Sequence, residues 1–261
     1  MQPSFKIATG EPRFPWTHTK ILIAGPCAIE TQEGFEKIAK IISDAGWKFI
    51  RGGAFKPRTS PYSFQGLGEE GLRILKDVSR KYHLYSVSEV LSPEEVPLVS
   101  EYVDILQIGS RNSQNVSLLK KVGKTQKPIL LKRGMMMRLE EFLLAAEYIA
   151  HEGNPNIILC ERGIRTFETV TRNTLDLSAI PYLKERTKLP IIIDPSHAVG
   201  ISRYVPALSK AAMAAGADGL MVEVHENPLE ALSDGEQALT FEQFQKLEKE
   251  IRLFMSGANT E

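Results

Sequence analysis

Residues 189–197 read LPIIIDPSH. The triple isoleucine Ile191–Ile193 shows no alternation of apolar and polar positions, so a strand made from it has both faces covered, as strands of parallel sheets do. Pro195 cannot extend a strand ladder, and the polar Asp194 and His197 arrive where the apolar run stops. Seven other stretches repeat the pattern: KILIAGPC (20–27), KFIRGGA (48–54), LYSVSEV (84–90), VDILQIG (103–109), KPILLKRG (127–134), NIILCERG (156–163) and GLMVEVH (219–225). Between them lie amphipathic, charge-bearing segments of helical spacing, at 33–46, 69–82, 117–123, 138–153 and 206–218, with another at 241–255. Eight strand–helix units in 261 residues match a (β/α)8 TIM barrel in count and length. A doubly wound open sheet is the competing reading, but no GxGxxG follows the first strand.

No Ser/Gly-rich linker or low-complexity tract interrupts the alternation, so residues 20–261 are expected to form one catalytic barrel. Residues 1–19 are a short N-terminal extension, placed by position over the N-terminal mouth. Lys+Arg 32 balance Asp+Glu 32, which leaves no global basic field and argues against nucleic-acid or membrane-surface partners. Cys27 and Cys160 fit neither a disulfide framework nor a CxxC motif, and neither a signal peptide nor a membrane-length apolar run is seen. A cytoplasmic protein is expected, and any positive charge used for function must be local.

In a barrel, polar residues at the C-terminal strand ends converge on one rim, where chemistry is done. Here the strand ends deliver Cys27; Arg51 with Lys56 beyond it; Glu89; Ser110 and Arg111; Lys132 and Arg133; Glu161 and Arg162; Asp194 and His197; and Glu223 with His225. Arg51, Lys56, Arg58, Arg111, Lys132 and Arg162 make a cationic set suited to phosphate or carboxylate groups. Cys27, His197, Glu223 and Asp234 make a second set, whose thiol and imidazole suit a divalent transition metal better than Mg2+ or Ca2+. Ordinary readings stand beside these. Cys27 alone reads as buried filler, Asp234 in LSDG as a turn residue, and Glu161 and Arg133 as partners in a rim ion pair. Glu223, set among apolar residues, is costly without a metal or cation. Lys132 has a rival role as a Schiff-base lysine.

The stretches IAGPC, RGGAFKPRTSPYSFQG, LQIGSRNSQN, LLKRG, CERGIRTFE, DPSH, VEVH and ALSDG, in that order, resemble the 3-deoxy-D-arabino-heptulosonate 7-phosphate (DAHP) synthases of the type I beta subfamily. The related 3-deoxy-D-manno-octulosonate 8-phosphate (KDO8P) synthases share the barrel, but there the loop after the second strand resembles K-x-A-N-R-S-S rather than the KPRTS of residues 56–60. The resemblance implies phosphoenolpyruvate (PEP) and erythrose 4-phosphate as substrates. Arg51, Lys56, Arg111, Lys132 and Arg162 match the PEP site with Ser110 close by, and Pro57, Arg58 and Thr59 match the segment that receives the sugar phosphate. Cys27, His197, Glu223 and Asp234 match the ligands of one divalent ion, Mn2+, Fe2+, Co2+ or Zn2+. Lys56 is the implied acid; Glu89 or a water on the metal takes the proton from the attacking water; Asp194 supports His197. The resemblance further implies a homodimer or homotetramer. With nineteen residues before the first strand, no fused regulatory or chorismate mutase domain is expected. KDO8P synthesis, a Schiff-base aldolase and a non-catalytic sugar-phosphate sensor are the competing functions.

Overall fold

The computed structural model describes residues 12–14, 16, 21–58 and 60–256. In chain order it comprises β1 (Ile21–Gly25), α1 (Gln32–Asp44), β2 (Phe49–Arg51), α2 (Glu69–Lys81), β3 (Tyr85–Glu89), α3 (Val96–Tyr102), β4 (Ile105–Ile108), α4 (Val116–Gly123) and β5 (Ile129–Lys132). There follow α5 (Leu139–His151), β6 (Ile157–Glu161), α6 (Ala179–Lys184), β7 (Ile191–Ile193), α7 (Pro195–Val199), α8 (Val205–Ala214), β8 (Gly219–Glu223) and α9 (Phe241–Ser256). The strands close in sequence order, all parallel, with β1 pairing to both β2 and β8. The expected (β/α)8 barrel is therefore the architecture.

The helices form for local reasons. In α1, Phe35, Ile38, Ala39 and Ile42 repeat at helical spacing and are buried, while the Thr31 side chain accepts the Gly34 N–H at 3.1 Å as an N-cap. In α2, Glu69 and Glu70 begin the helix and Arg80 and Lys81 end it, matching the helix dipole.

The strands place the core in two layers by a period of two. Ile21, Ile23, Phe49, Val87, Ile105, Leu130, Ile158, Cys160, Ile192 and Met221 fill the barrel interior. Their neighbours Leu22, Ala24, Ile50, Leu106, Ile129, Leu131, Ile157, Leu159, Ile191, Leu220 and Val222 face the helices. Phe14 and Trp16 join the inner cluster, with Trp16 meeting Phe49 and Tyr85 at ring distances of 5.1 and 4.8 Å, where β2 and β3 begin. Two residues above the inner apolar layer, the same register turns Arg51, Glu89, Gln107, Lys132, Asp194 and Glu223 inward. Among the described residues no helix is long and apolar enough to cross a membrane.

Candidate active site

The C-terminal mouth holds a cavity of about 350 Å3, within the range of small-molecule sites. Arg51, Lys56, Arg58, Arg111, Lys132, Arg162 and Arg172 line it, seven cations against the carboxylates of Glu89 and Asp234. Pro57, Ser110 and His197 complete the expected lining. Cys27 and Glu223 lie below, touching lining residues, and Thr59 lies outside the described residues.

β1 stops at Gly25, two residues short of Cys27. Pro26 has no N–H for the ladder, and a side chain at Gly25 would strike the Arg51 carbonyl oxygen, 2.0 Å from where its Cβ would lie. Two cations then brace the turn. Arg51 donates to Pro26 O at 3.0 Å and Lys56 donates to Cys27 O at 3.1 Å. Lys56 folds back because residue 53 is glycine: a Cβ there would lie 2.7 Å from Lys56 Cδ. Arg51 also donates to Glu223 Oε1 at 2.5 Å, a fully buried pair.

Cys27 Sγ, Glu223 and Asp234 offer ligand atoms within 4.8 Å of one another. The Cys27 thiol donates to Asp234 Oδ2 at 3.3 Å, and Asp234 is presented by a left-handed turn at φ 52°. His197 stands beside this group, its Nε2 3.3 Å from Glu223 Oε1. It comes from the one-turn α7 rather than from the strand end; Asp194 caps that helix and reaches His197 Nδ1 at 2.7 Å. Lys132 meets Asp194 at 2.5 Å, which ties the expected anion-binding lysine to the support of His197.

Burial and charge set the protonation states. Burial, then the Glu223 carboxylate, push the Cys27 thiol up to about 11. Burial pulls His197 down against the attraction of Asp194 and Glu223, so the imidazole is neutral at neutral pH. Burial opposes charge on Glu223, yet His197 and Arg51 outweigh it and hold the carboxyl below its usual range. Burial also opposes charge on Asp234, but His197, charged at the pH where Asp234 titrates, and Arg172 hold it at about 2.

These states fit a bound cation. A neutral imidazole whose Nδ1–H goes to Asp194 turns the lone pair of Nε2 toward a carboxylate oxygen, so two acceptors face each other at 3.3 Å. A divalent ion held by Cys27, Glu223, Asp234 and His197 would remove that conflict, with the thiol giving up its proton to become a ligand. The rest of the cavity fits anions. Arg162 Nε is buried with no hydrogen-bond partner, and Arg58 and Arg111 have no ion-pair partner among the described residues.

Other residues escaped the sequence reading. Gln107 lies two positions beyond the inward Ile105 and donates to Glu89 Oε2 at 3.2 Å; the period of two was enough to find it. Arg172, in the loop between β6 and α6, and Gln237, beyond β8, follow no periodic pattern. Arg133 and Glu161 do form an ion pair, at 2.9 Å, on the side facing the helices.

The DAHP synthetase I family model matches residues 16–255. The phospho-2-dehydro-3-deoxyheptonate aldolase of Thermotoga maritima is 56% identical over 231 residues, 88% of this chain and 68% of the relative. A solved structure of the T. maritima phospho-2-dehydro-3-deoxyheptonate aldolase (DAHP synthase) superposes with a TM-score of 0.89 at 55% identity, covering 90% of this chain and 69% of that one. The 2-dehydro-3-deoxyphosphooctonate aldolase of Syntrophobacter fumaroxidans stands further off, 34% identical over 249 residues, 88% of this chain and 85% of the relative. A closed eight-stranded barrel, a cationic mouth over a Cys/Glu/Asp group and a family match over nearly all of its length agree: the chain belongs to the DAHP synthetase I family.

Proposed function

We propose that the protein is a DAHP synthase, joining PEP to D-erythrose 4-phosphate and water and releasing DAHP and inorganic phosphate. The observation that carries this reading is the crowding of seven cations around one cavity above the Cys27, Glu223 and Asp234 group. Two polyanionic substrates repel each other in water. Fixed cations offset that repulsion and hold the reacting carbons together.

In this reading Arg51, Arg111, Lys132 and Arg162 take the carboxylate and phosphate of PEP near Ser110, with the open Nε of Arg162 as one donor. Pro57, Arg58 and Thr59 form the segment that receives erythrose 4-phosphate, Arg58 and Thr59 meeting its phosphate. Cys27, Glu223, Asp234 and His197 hold one divalent transition ion, which when bound supplies a Lewis acid for the aldehyde oxygen. Carbon C3 of PEP attacks the aldehyde carbon, and Lys56, whose Nζ already lies 3.1 Å from Cys27 O beside that group, gives its proton to the oxygen that becomes an alkoxide. Water adds at C2, Glu89 takes its proton, and the hemiketal expels phosphate by C–O cleavage. Erythrose 4-phosphate is favoured over arabinose 5-phosphate by the KPRTS loop and by the lower identity of the octulosonate relative. Residues 20–261 then act as one catalytic barrel; most of the 1–19 extension lies outside the described residues, and of its described part Phe14 and Trp16 pack at the mouth opposite the cavity.

The test is the loss of the PEP enol absorbance with erythrose 4-phosphate or arabinose 5-phosphate, with and without a chelator. Turnover with erythrose 4-phosphate alone, abolished by chelation and restored by metal, is expected. Faster consumption with arabinose 5-phosphate would overturn the substrate, and full activity in the chelator would overturn the metal.

A further inference from the structure

We infer that Gln237, locked by Arg172, is a positioning residue that aims the Glu223 carboxylate at the metal group. The inference rests on the reading that Cys27, Glu223 and Asp234 hold a metal. Gln237 ends the 3-10 turn Gly235–Gln237 and is 2% exposed. Its amide is wedged between an acid and a base: Nε2 donates to Glu223 Oε2 at 2.6 Å, and Oε1 accepts from Arg172 Nη1 at 2.8 Å. Only one orientation works. A flipped amide sets its carbonyl against a carboxylate and its NH2 against a guanidinium. With Arg51 on Oε1 and Gln237 on Oε2, both oxygens of Glu223 are held and the carboxylate cannot swing.

Arg172 makes this a shared device. The same Nη1 lies 3.7 Å from Asp234 Oδ1, so one guanidinium reaches a second carboxylate of the group. Its segment is hooked to the helix that carries His197: Arg172 N donates to Val199 O at 3.0 Å and Asn173 N to Ala198 O at 2.7 Å, and the Asn173 side-chain Nδ2 donates to His197 O at 3.2 Å. Space for it exists because residue 200 is glycine, where a Cβ would stand 2.8 Å from the Arg172 Cβ. The loop between β6 and α6 thereby fixes the geometry of three groups that lie far from it in sequence.

The sign of one substitution separates positioning from charge. A cation acting only through its charge repels a metal ion, so removing it tightens binding; a cation that holds an aligning amide does the opposite when removed. Titration of Mn2+ alone into the metal-stripped full chain, followed by calorimetry, reads this without any turnover. Gln237→Met, which keeps the volume and removes both hydrogen bonds, is expected to weaken Mn2+ binding about tenfold to a hundredfold. Arg172→Ala is expected to weaken it about threefold. The double variant is expected to fall short of the product of the two, because the residues act in one chain of contacts. Melting of the metal-free variants within a few degrees of the native chain excludes a general packing defect.

Native affinity in Gln237→Met, tighter binding in Arg172→Ala, or fully multiplicative effects would each overturn the inference and leave the DAHP synthase reading standing. If Gln237→Met does not fold, the exposed Arg172 decides alone, weaker binding supporting the inference and equal or tighter binding overturning it. A native chain that takes up no Mn2+ would remove the metal reading and this inference with it.

Discussion

Two buried ionic clusters in this barrel are made from the same residue types, one strand position apart. Lys132 and Arg133 are adjacent, as are Glu161 and Arg162, and the pleat sends one of each pair into the barrel and the other toward the helices. Outside, Arg133 binds Glu161 at 2.9 Å, Asp176 at 2.8 Å and the Met137 carbonyl at 2.9 Å, while Glu161 also accepts the Gly163 N–H at 2.6 Å. That cluster is closed. Inside, Arg51 and Lys132 have their carboxylates, but Arg162 Nε has no partner, Arg58 and Arg111 are free among the described residues, and His197 Nε2 lies 3.3 Å from a Glu223 oxygen beside the thiol of Cys27. Burial and charge are common to both clusters. What marks the inner one as a site is its unfinished bonding, turned toward a cavity.

The sharpest break of this comparison is at Cys27. Cys27→Ala removes the thiol proposed as a metal ligand from the inner cluster but only a small, buried side chain from the packing. We expect kcat/KM to fall at least about 10^4-fold, or roughly 5 kcal/mol of barrier, with the melting temperature of metal-free protein little changed. More than a tenth of native activity would take the thiol out of the mechanism.

The outer cluster responds in the other currency. Arg133→Met strands Glu161, which burial already pushes above the usual carboxylate range, and removing one partner of a buried pair costs about 3–5 kcal/mol. Denaturant unfolding is expected to show that loss while turnover per folded molecule stays within about threefold of native. A variant of native stability and lost turnover would dissolve the distinction between the clusters.

A smaller effect comes from a residue with no side chain. A Cβ at Gly109 would lie 1.9 Å from Glu89 Oε1, so Gly109→Ala forces Glu89 out of the inner cluster without touching its charge. If Glu89 takes the proton from water, kcat at saturating substrates falls about tenfold to a hundredfold, roughly 1–3 kcal/mol. An unchanged kcat assigns that proton to another group.

Much of this was legible from the strands. Runs such as ILLK and IIID announce themselves because parallel strands are covered on both faces, and the period of two then separates Lys132 from Arg133 by direction. The unread parts lie where no period operates. α3 and α6 have too few turns for an amphipathic pattern, and α7 is a single turn whose Pro195 marks a stop and a helix start alike. Arg172 and Gln237 become partners only because two loops over 60 residues apart meet above β7 and β8, and nothing local encodes that.

The least of the expected effects tests the comparison by its sign in acid. Asp234 has a folded pKa of about 2 against 3.8, so its ionisation stabilises the fold above about pH 4, and that contribution is lost as the pH falls through 2. Since its side chain is 27% exposed, solvent trims the contribution to about 1 kcal/mol. Glu161 runs the opposite way. Burial raises its pKa despite Arg133, so protonation favours the folded chain and its contribution to stability grows as the pH falls through the raised value. Unfolding free energies of metal-free protein between pH 6 and 2 separate the two: Asp234→Asn is expected to flatten the acid decline, and Glu161→Gln to steepen it. The same direction from both variants would mean that the clusters differ in place alone. Opposite directions would show that the inner carboxylate is held charged by His197 and Arg172, while burial makes the charge of the outer one costly despite its bonds to Arg133 and Gly163.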